Sequence, residues 1–456
     1  MTDLEMAREI GLRVKDAGGA AYFVGGYVRD LLLGRDNKDI DLEIHGIVPE
    51  VLTDILSSLG DMTAFGESFG VFGLRHYDLD IAMPRSEIAV GPGHRDFLCT
   101  LDPFIGTEKA AMRRDFTINA LMQDVVTGEI VDHFGGLEDL RNGLIRHIDD
   151  QRFAEDPLRV LRGAQFAARF HFQIAPRTIE VCSRMDLSHL ASERIFGELE
   201  KALLKSDTPS VFFKELRKMN QLDLWFQEVK ALIGVPQPEK YHPEGDVWNH
   251  TMMILDNAAA LREHAENPIG LMLAALCHDF GKVSTTRMEE DGRLHAFGHE
   301  KAGIPLADAF LSRITHEKKL RQYVKNMMEL HMLPNMLAAQ HAGEKSFLRL
   351  FDRSVSPNDL LLLSRADQLA SCVSLETYAS TEAALQEYLS VYRERMSEPY
   401  VTGIDLIQAG FQPGTAFGEA LAYAHRLQLA GVDRKCTLSQ TLAFLRRMEN
   451  ETSRAP

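Results

Sequence analysis

The feature that most constrains the fold is a change of hydrophobic period near residue 150. Before it, short β-branched runs are punctuated by Gly and acids: AYFVGG (21–26), DIDLEI (39–44), FGVFGLRHYDLDIAM (69–83) and GEIVDH (128–133). Helical patterns such as VRDLLLG and PEVLTDILSSLG lie between them, which predicts a small α/β head. From about 151 onward, apolar residues recur every three or four positions, as in LRVLRGAQFAARF, SERIFGELEKALL and HTMMILDNAAALREHA. The remainder is therefore expected to be nearly all helix, and the fold class α+β. The Pro- and Gly-rich stretch IGVPQPEKYHPEGD (233–246) reads as a linker, and SEPYVTG marks a second break before a short tail. These signals divide the chain into a head (1–150), a helical neck (151–232), a His-rich helical region (233–395) and a helical tail (396–456).

Composition excludes disorder: the 456 residues are 45% hydrophobic and 25% charged. The net charge of −16 argues, taken whole, against a nucleic-acid partner. Its distribution says otherwise, because residues 1–150 hold 14 Lys plus Arg against 27 Asp plus Glu, whereas 151–220 hold 12 against 9. Acidity is concentrated in the head, and the neck is Arg-rich. The five Cys are scattered without CxxC spacing, which speaks against a disulfide framework or thiolate zinc site and fits a reducing cytoplasm. MTDLEMAREI lacks the basic and apolar regions of a signal peptide, and no run approaches the roughly 18 apolar residues of a membrane span. Neither export nor membrane insertion is expected.

The chemistry-bearing residues of the head begin at Gly25-Gly26, where a strand pattern turns into a helix pattern and backbone N–H groups become free to hold a phosphate. A plain connecting turn has the same appearance. Asp39 and Asp41 share one strand face, where two carboxylates repel unless a cation lies between them. Oxygen ligands of this kind suit Mg²⁺ with nucleotide phosphates completing its shell. Two solvated acids at a strand end are the alternative. Asp80 ends a further strand-like run and is a candidate general base for an attacking hydroxyl, although Asp78 has the same parity. Arg113, Arg114 and Asp115 read as a triphosphate clamp or a surface cluster.

Glu155, Asp156, Arg159 and Arg162 open one helix, Asp156 being equally explicable as a cap. Adenine and cytosine both present an amino donor beside a ring-nitrogen acceptor, whereas guanine and uracil present a carbonyl beside a ring N–H. A fixed carboxylate and a fixed Arg on this helix would take A and C and reject G and U.

In the His-rich region, His250, the His278-Asp279 doublet, His299, His331 and Asp367 follow in order, each in a helical pattern. Four imidazoles and two carboxylates that meet across a bundle would suit Ni, Mn, Co, Fe or Zn, and such an ion acidifies water for phosphoester hydrolysis. Any one of these His, taken alone, reads as an ordinary core or surface residue.

VGGYVRDLLLG, KDIDLEI, MRRDFTINALMQD, GGLEDLRNGLIRHI, AEDPLRVLRGAQFAARF and ERIFGELEKAL together resemble the class II bacterial tRNA nucleotidyltransferase and poly(A) polymerase family over residues 20–205. The resemblance implies a polymerase-β-like nucleotidyltransferase head. It also implies that Gly25, Gly26, Arg29 and Asp30 form the triphosphate turn and that Asp39 and Asp41 hold Mg²⁺. Arg113, Arg114, Asp115 and Asn119 would contact nucleotide phosphate and ribose, and Glu155, Asp156, Arg159 and Arg162 would select CTP and ATP. Residues 84–112 resemble the flexible loop of the CCA-adding branch, with three Gly permitting motion. HPE, HTMM and CHDFGK resemble the HD phosphohydrolase region of the multifunctional CCA-adding members. There His250, His278, Asp279 and Asp367 match the core metal ligands, and His299 and His331 match second-metal positions. Implied partners are tRNA, CTP and ATP, and the implied activities are CCA addition plus 2′,3′-cyclic phosphodiesterase, 2′-nucleotidase and phosphatase. A monomer and a homodimer both remain open, as do a poly(A) polymerase, an A-adding enzyme, and an RNA- or nucleotide-sensing protein with an inactive HD domain. The tail resembles the family's C-terminal helices, which either hold tRNA or pack on the HD region.

Overall fold

The computed structural model describes residues 1–64, 71–89, 97–239, 242–290, 293–370 and 375–452. The chain divides into two compact units, Met1–Leu224 and Trp225–Pro456. The Pro-rich stretch lies inside the second unit rather than between the two. Ahead of it, the helix Gln227–Lys230 already belongs to the second unit's core, since Glu228 accepts two hydrogen bonds from Arg313 and the Phe226 ring packs on Phe310.

The first unit is built on a sheet of seven strands, in spatial order Met62–Ala64, Val71–Leu74, Leu79–Ala82, Ile40–His45, Ala20–Val24, Met122–Asp124 and Ile130–Val131. Ile40–His45 runs parallel to Leu79–Ala82 and antiparallel to Ala20–Val24. Its Leu42 and Ile44 are buried, as expected of a strand with a neighbour on either side. The helix Asp3–Asp16, opened by a Thr2/Glu5 capping box, buries Met6, Ala7, Ile10, Gly11 and Val14 on one stripe. Gly11 permits that packing, because a Cβ there would lie 2.8 Å from Val125 Cγ1.

Two expectations change in the head. Within the run 69–83, residues 71–82 form a hairpin rather than one strand, with His76 in the left-handed region at φ 74° between Val71–Leu74 and Leu79–Ala82. That turn removes the ambiguity between Asp78 and Asp80: Asp78 lies in the turn and donates its N–H to Asp3, while Asp80 is in register with Asp41. The segment 84–112, read as a flexible loop, contains the hairpin Arg85–Ala89/Phe97–Leu101 and the helix Thr107–Met112. Residues 90–96, with two of the three glycines of that reading, lie outside the described residues.

After the sheet the unit becomes helical: Leu158–Phe170, Pro176–Cys182, Ser192–Lys205 and Ser210–Lys218. One small parallel pair, Leu144–Ile145 with Gln173–Ile174, ties these helices to the head.

In the second unit, Pro268–Cys277 (PIGLMLAALC) is apolar on every side and buried from Gly270 to Cys277, which makes it the central helix. Val247–Leu261, Lys318–Leu330 and Pro357–Ala370 surround it with mostly apolar buried faces. The tail helices Gly403–Gln408, Thr415–Leu429 and Arg434–Thr452 share a cluster of their own around Leu406, Phe411, Ala420 and Leu445.

Candidate active sites

In the first unit the predicted head and neck residues converge on a cleft of about 530 Å³. Gly25 joins the strand Ala20–Val24 to the helix Gly26–Leu32 with φ +65°, and a Cβ there would lie 2.9 Å from Arg114 Nη1 and 3.6 Å from Asp41 Oδ2. Glycine thus serves both the turn and the close approach of clamp and carboxylate. Asp41 is opposite Asp80 on the neighbouring parallel strand, and Asp39 immediately precedes the Asp41 strand. Burial pushes the Asp41 carboxyl above its ordinary range, Asp80 and Asp39 add to the rise, and Arg114 opposes it. Three carboxylates crowded in this way fit a divalent cation with hard oxygen ligands.

Arg29, 4% exposed, donates from Nε to Asp30 at 2.8 Å and from Nη1 to Asn119 at 2.6 Å, its guanidinium 4.6 Å from the Phe170 ring centre. Asn119 in turn donates to Asp115 at 2.9 Å, and Arg162 Nε donates to the other Asp115 oxygen at 2.7 Å. Burial works against the Asp115 charge, yet Arg162 and Asn119 hold that carboxyl below its ordinary range. Residues read singly as nucleotide contacts therefore form one hydrogen-bonded chain that fixes the cleft wall.

Asp156, just before Pro157 at the N-cap, accepts from Leu158 N at 3.1 Å and also faces Arg194 at 3.0 Å. Arg159 reaches the carbonyls of Arg152 and Arg113 at 2.6 and 2.8 Å. Gly25, Gly26, Arg29, Asp30, Asp39, Asp41, Arg114, Asp115, Asn119, Asp156, Arg159 and Arg162 all line the cleft. Arg113, Glu155 and Asp80 are not among its lining residues: Arg113 Nη1 donates to the Arg85 carbonyl, Glu155 ends the helix Asp150–Ala154, and Asp80 acts on Asp41 from the next strand.

Sequence reading missed Asn37, Arg169, Arg194, Lys201 and Lys205 in that lining. Helical spacing could have found four of them. Arg169 lies seven residues after Arg162, and Lys201 and Lys205 lie seven and eleven after Arg194, so each recurs on one helix face.

The second unit gathers all six predicted ligands. His278 follows the central helix, His299 begins His299–Ile314, and His331 follows Lys318–Leu330. His250 and Asp367 come from Val247–Leu261 and Pro357–Ala370. His278, His299 and His331 each place Nδ1 within 2.6–2.8 Å of a main-chain carbonyl three residues back, from Ala275, Ala296 and Met328 respectively. A carbonyl only accepts, so Nδ1 carries a proton in each ring and Nε2 is the nitrogen turned to the centre.

Those Nε2 atoms meet at the centre. His278 and His299 Nε2 lie 3.1 and 3.3 Å from the Asp279 carboxylate, and His299 and His331 Nε2 lie 3.4 Å apart. His278 Nε2 is buried without a hydrogen bond, and Asp279 Oδ2 is met by Lys282 Nζ at 2.7 Å. Burial, with His278 and His299 opposite, pushes His331 down to about 3, which keeps that ring neutral. A buried centre lined by imidazole nitrogens and a carboxylate fits a divalent metal ion, and the donors form the groups His250/His278/Asp279 and Asp279/His299/His331.

His250 differs from the other three. Its Nδ1 meets Glu244 at 2.7 Å and its Nε2 meets Asp367 at 3.2 Å. Burial opposes its charge, but Asp367 and Glu244 raise it to about 9, so a metal at Nε2 has to displace a proton. Glu244 and Lys282, which lies 2.7 Å from Asp279, were not foreseen, although HPEGD and HDFGK place both beside the ligands in sequence.

Three regions of the chain match known domain families. Residues 21–146 match the Poly A polymerase head domain, 171–233 the probable RNA and SrmB-binding site of polymerase A, and 247–372 the HD domain. The multifunctional CCA protein of Actinobacillus pleuropneumoniae serotype 5b is 41% identical over 317 residues, covering 68% of this chain and 74% of the relative. The chain belongs to the multifunctional CCA protein family. The Pasteurella multocida member of that family is 39% identical over 340 residues, covering 73% and 78% of the two chains. The solved Thermotoga maritima CCA-adding enzyme, complexed with tRNA, shares the fold at a TM-score of 0.60, with 22% identity and coverage of 97% and 95%. As a multifunctional CCA protein, the chain is a CCA-adding nucleotidyltransferase that carries an HD domain, and both parts imply divalent-metal use. Among the described residues, no helix is long and apolar enough to cross a membrane.

Proposed function

We propose that this protein binds tRNA lacking its 3′ terminus and adds CCA from CTP and ATP without a nucleic-acid template, releasing pyrophosphate. The observation that carries the reading is the single cleft that holds Asp39 and Asp41 together with Asp156, Arg159 and Arg162. Asp39 and Asp41 would hold Mg²⁺, which supplies charge stabilisation at the phosphates. Arg29, Arg114 and Arg162, fixed by their own hydrogen bonds, face the triphosphate. The 3′-hydroxyl attacks the α-phosphate, displaces pyrophosphate and gives up its proton, and Asp80, outside the cleft lining, would act on this step through Asp41 beside it. Asp156 and Arg159 read the amino group and ring nitrogen shared by A and C. Arg159 must exchange its carbonyl contacts for the base, and Arg194 shares the Asp156 carboxylate.

The HD centre would take Ni, Mn, Co, Fe or Zn, which acidifies water for phosphoester hydrolysis, and serve as 2′,3′-cyclic phosphodiesterase, 2′-nucleotidase and phosphatase. Its six ligands come from five separate segments, His278 and Asp279 being neighbours, which supports a working site rather than a degenerate sensor. The proposed working regions are a head (1–150), a neck (151–232, its residues from Trp225 on packing in the second unit), an HD domain (233–395) and a tail (396–456) of a cytoplasmic monomer or homodimer.

The test is incubation with tRNA lacking CCA, Mg²⁺ and each nucleotide separately and together, followed by sequencing of the added ends. C addition from CTP and completion with ATP support the reading. A alone would make it an A-adding enzyme, runs of A a poly(A) polymerase, and no turnover at either site a sensor.

A further inference from the structure

We propose that the two-stranded ribbon preceding His299 is a base-stacking platform, which gives the HD centre its preference for RNA 3′ ends over simple phosphate esters. This rests on the hydrolase reading above and goes beyond it by naming what holds the nucleoside. The ribbon pairs Arg287–Met288 with Leu294–His295. Just after it, Phe297 is 78% exposed, an unusual place for a phenyl ring, and it stacks on His295 at 4.8 Å between ring centres and 11° between planes. The pair thus offers a flat aromatic face, rigid on one side and open on the other.

Its position decides what the face is for. Phe297 is two residues from His299, and the carbonyl of Ala296, the residue between the stacked His295 and Phe297, accepts the His299 Nδ1 hydrogen bond at 2.8 Å. Platform and metal ligand are therefore held by the same few backbone atoms. Gly298, in the left-handed region at φ 76°, turns the chain between them, so their Cα atoms lie well inside the roughly 7 Å that two extended residues would span, a separation comparable with that of a ribose phosphate from its base. Arg287 is exposed and directly opposite His295 on the ribbon, so a cation flanks the aromatic face. An aromatic face, a neighbouring Arg and a metal centre are the three elements that bind a base, the adjoining phosphate and the phosphate to be cut. The occupant is the terminal nucleoside of an RNA bearing a 2′,3′-cyclic or 2′ phosphate.

The test compares 2′,3′-cyclic AMP with glycerol 1,2-cyclic phosphate, the same cyclic diester without a base, using the full chain with Ni²⁺. The expected result is that Phe297→Ala lowers the ratio of kcat/KM for the nucleotide over the base-free ester about tenfold, mainly through KM, and that Phe297→Trp restores it. An unchanged ratio overturns the platform. Hydrolysis of neither ester by the wild-type protein overturns the hydrolase reading, and the platform with it.

Discussion

The carbonyl oxygen of His299 fills the space that a side chain at Gly281 would need: a Cβ there would lie 1.9 Å from that oxygen and 2.7 Å from Gly303 N. Gly281 has an ordinary helical φ of −68°, so the requirement is for space and not for conformation. Bringing the two backbones together delivers His299 to Asp279. Gly281→Ala should destabilise the second unit by about 1–3 kcal/mol and abolish hydrolysis of 2′,3′-cyclic AMP. Denaturant unfolding and Ni²⁺-dependent rates check both, and wild-type behaviour in both would refute the packing role.

The two activities should separate by substitution. Asp39→Ala/Asp41→Ala is expected to abolish CCA addition while hydrolysis continues, and His278→Ala/Asp279→Ala the reverse. Loss of both activities in either double variant, with folding intact by circular dichroism, would contradict two independent centres.

Nucleotide choice should depend on Asp156 and Arg159. Arg159→Ala should narrow the preference for CTP and ATP over GTP and UTP, measured as the ratio of kcat/KM values. Asp156→Ala should do the same and also cost about 1 kcal/mol, since its carboxylate accepts from Leu158 N. Unchanged selectivity in both variants counts against base reading by this helix.

Acid stability should report on Asp115. Its folded-state pKa lies below the ordinary carboxylate value of about 3.9, so its contribution is complete above that unfolded value and is lost as pH falls through the lower folded one. Asp115→Asn should lower stability at neutral pH by about 1–3 kcal/mol and flatten the acid limb below about pH 4. Urea unfolding between pH 2 and 7 gives the curve, and an unaltered acid limb would show that the Arg162 contact carries little.

tRNA binding should be salt-sensitive and centred on the neck. Arg194→Ala, Lys201→Ala and Lys205→Ala are each expected to weaken binding and to reduce the slope of log K against log salt by up to about 1. Filter binding between 50 and 200 mM salt measures it. A slope unchanged in all three would place the tRNA elsewhere.

The α/β-to-helix transition was legible because period is a local property: LRVLRGAQFAARF can bury one stripe only as a helix. Both carboxylate sites were legible because strand alternation puts Asp39 and Asp41 on one face. Asp80 needed the structure, since its choice over Asp78 depends on a turn at His76 and a register with Asp41, which are non-local. The break at Leu224/Trp225 was hidden for a similar reason: Glu228 belongs to the second unit through Arg313, a partner 85 residues away. Glu244 and Lys282 went unnoticed because an acid or Lys beside a ligand has no periodic signature. Only a distance to His250 or Asp279 gives either a role.

The anchoring of the HD imidazoles bears on how such a site can be lost. For His278, His299 and His331 the orienting acceptor is a peptide oxygen, which every residue type supplies, so no point substitution at Ala275, Ala296 or Met328 deletes it. His250 alone depends on a replaceable side chain, Glu244. Drift in the supporting residues therefore threatens one corner of the centre far more than the other three, and decay of this activity in a lineage should first show as changes at Glu244.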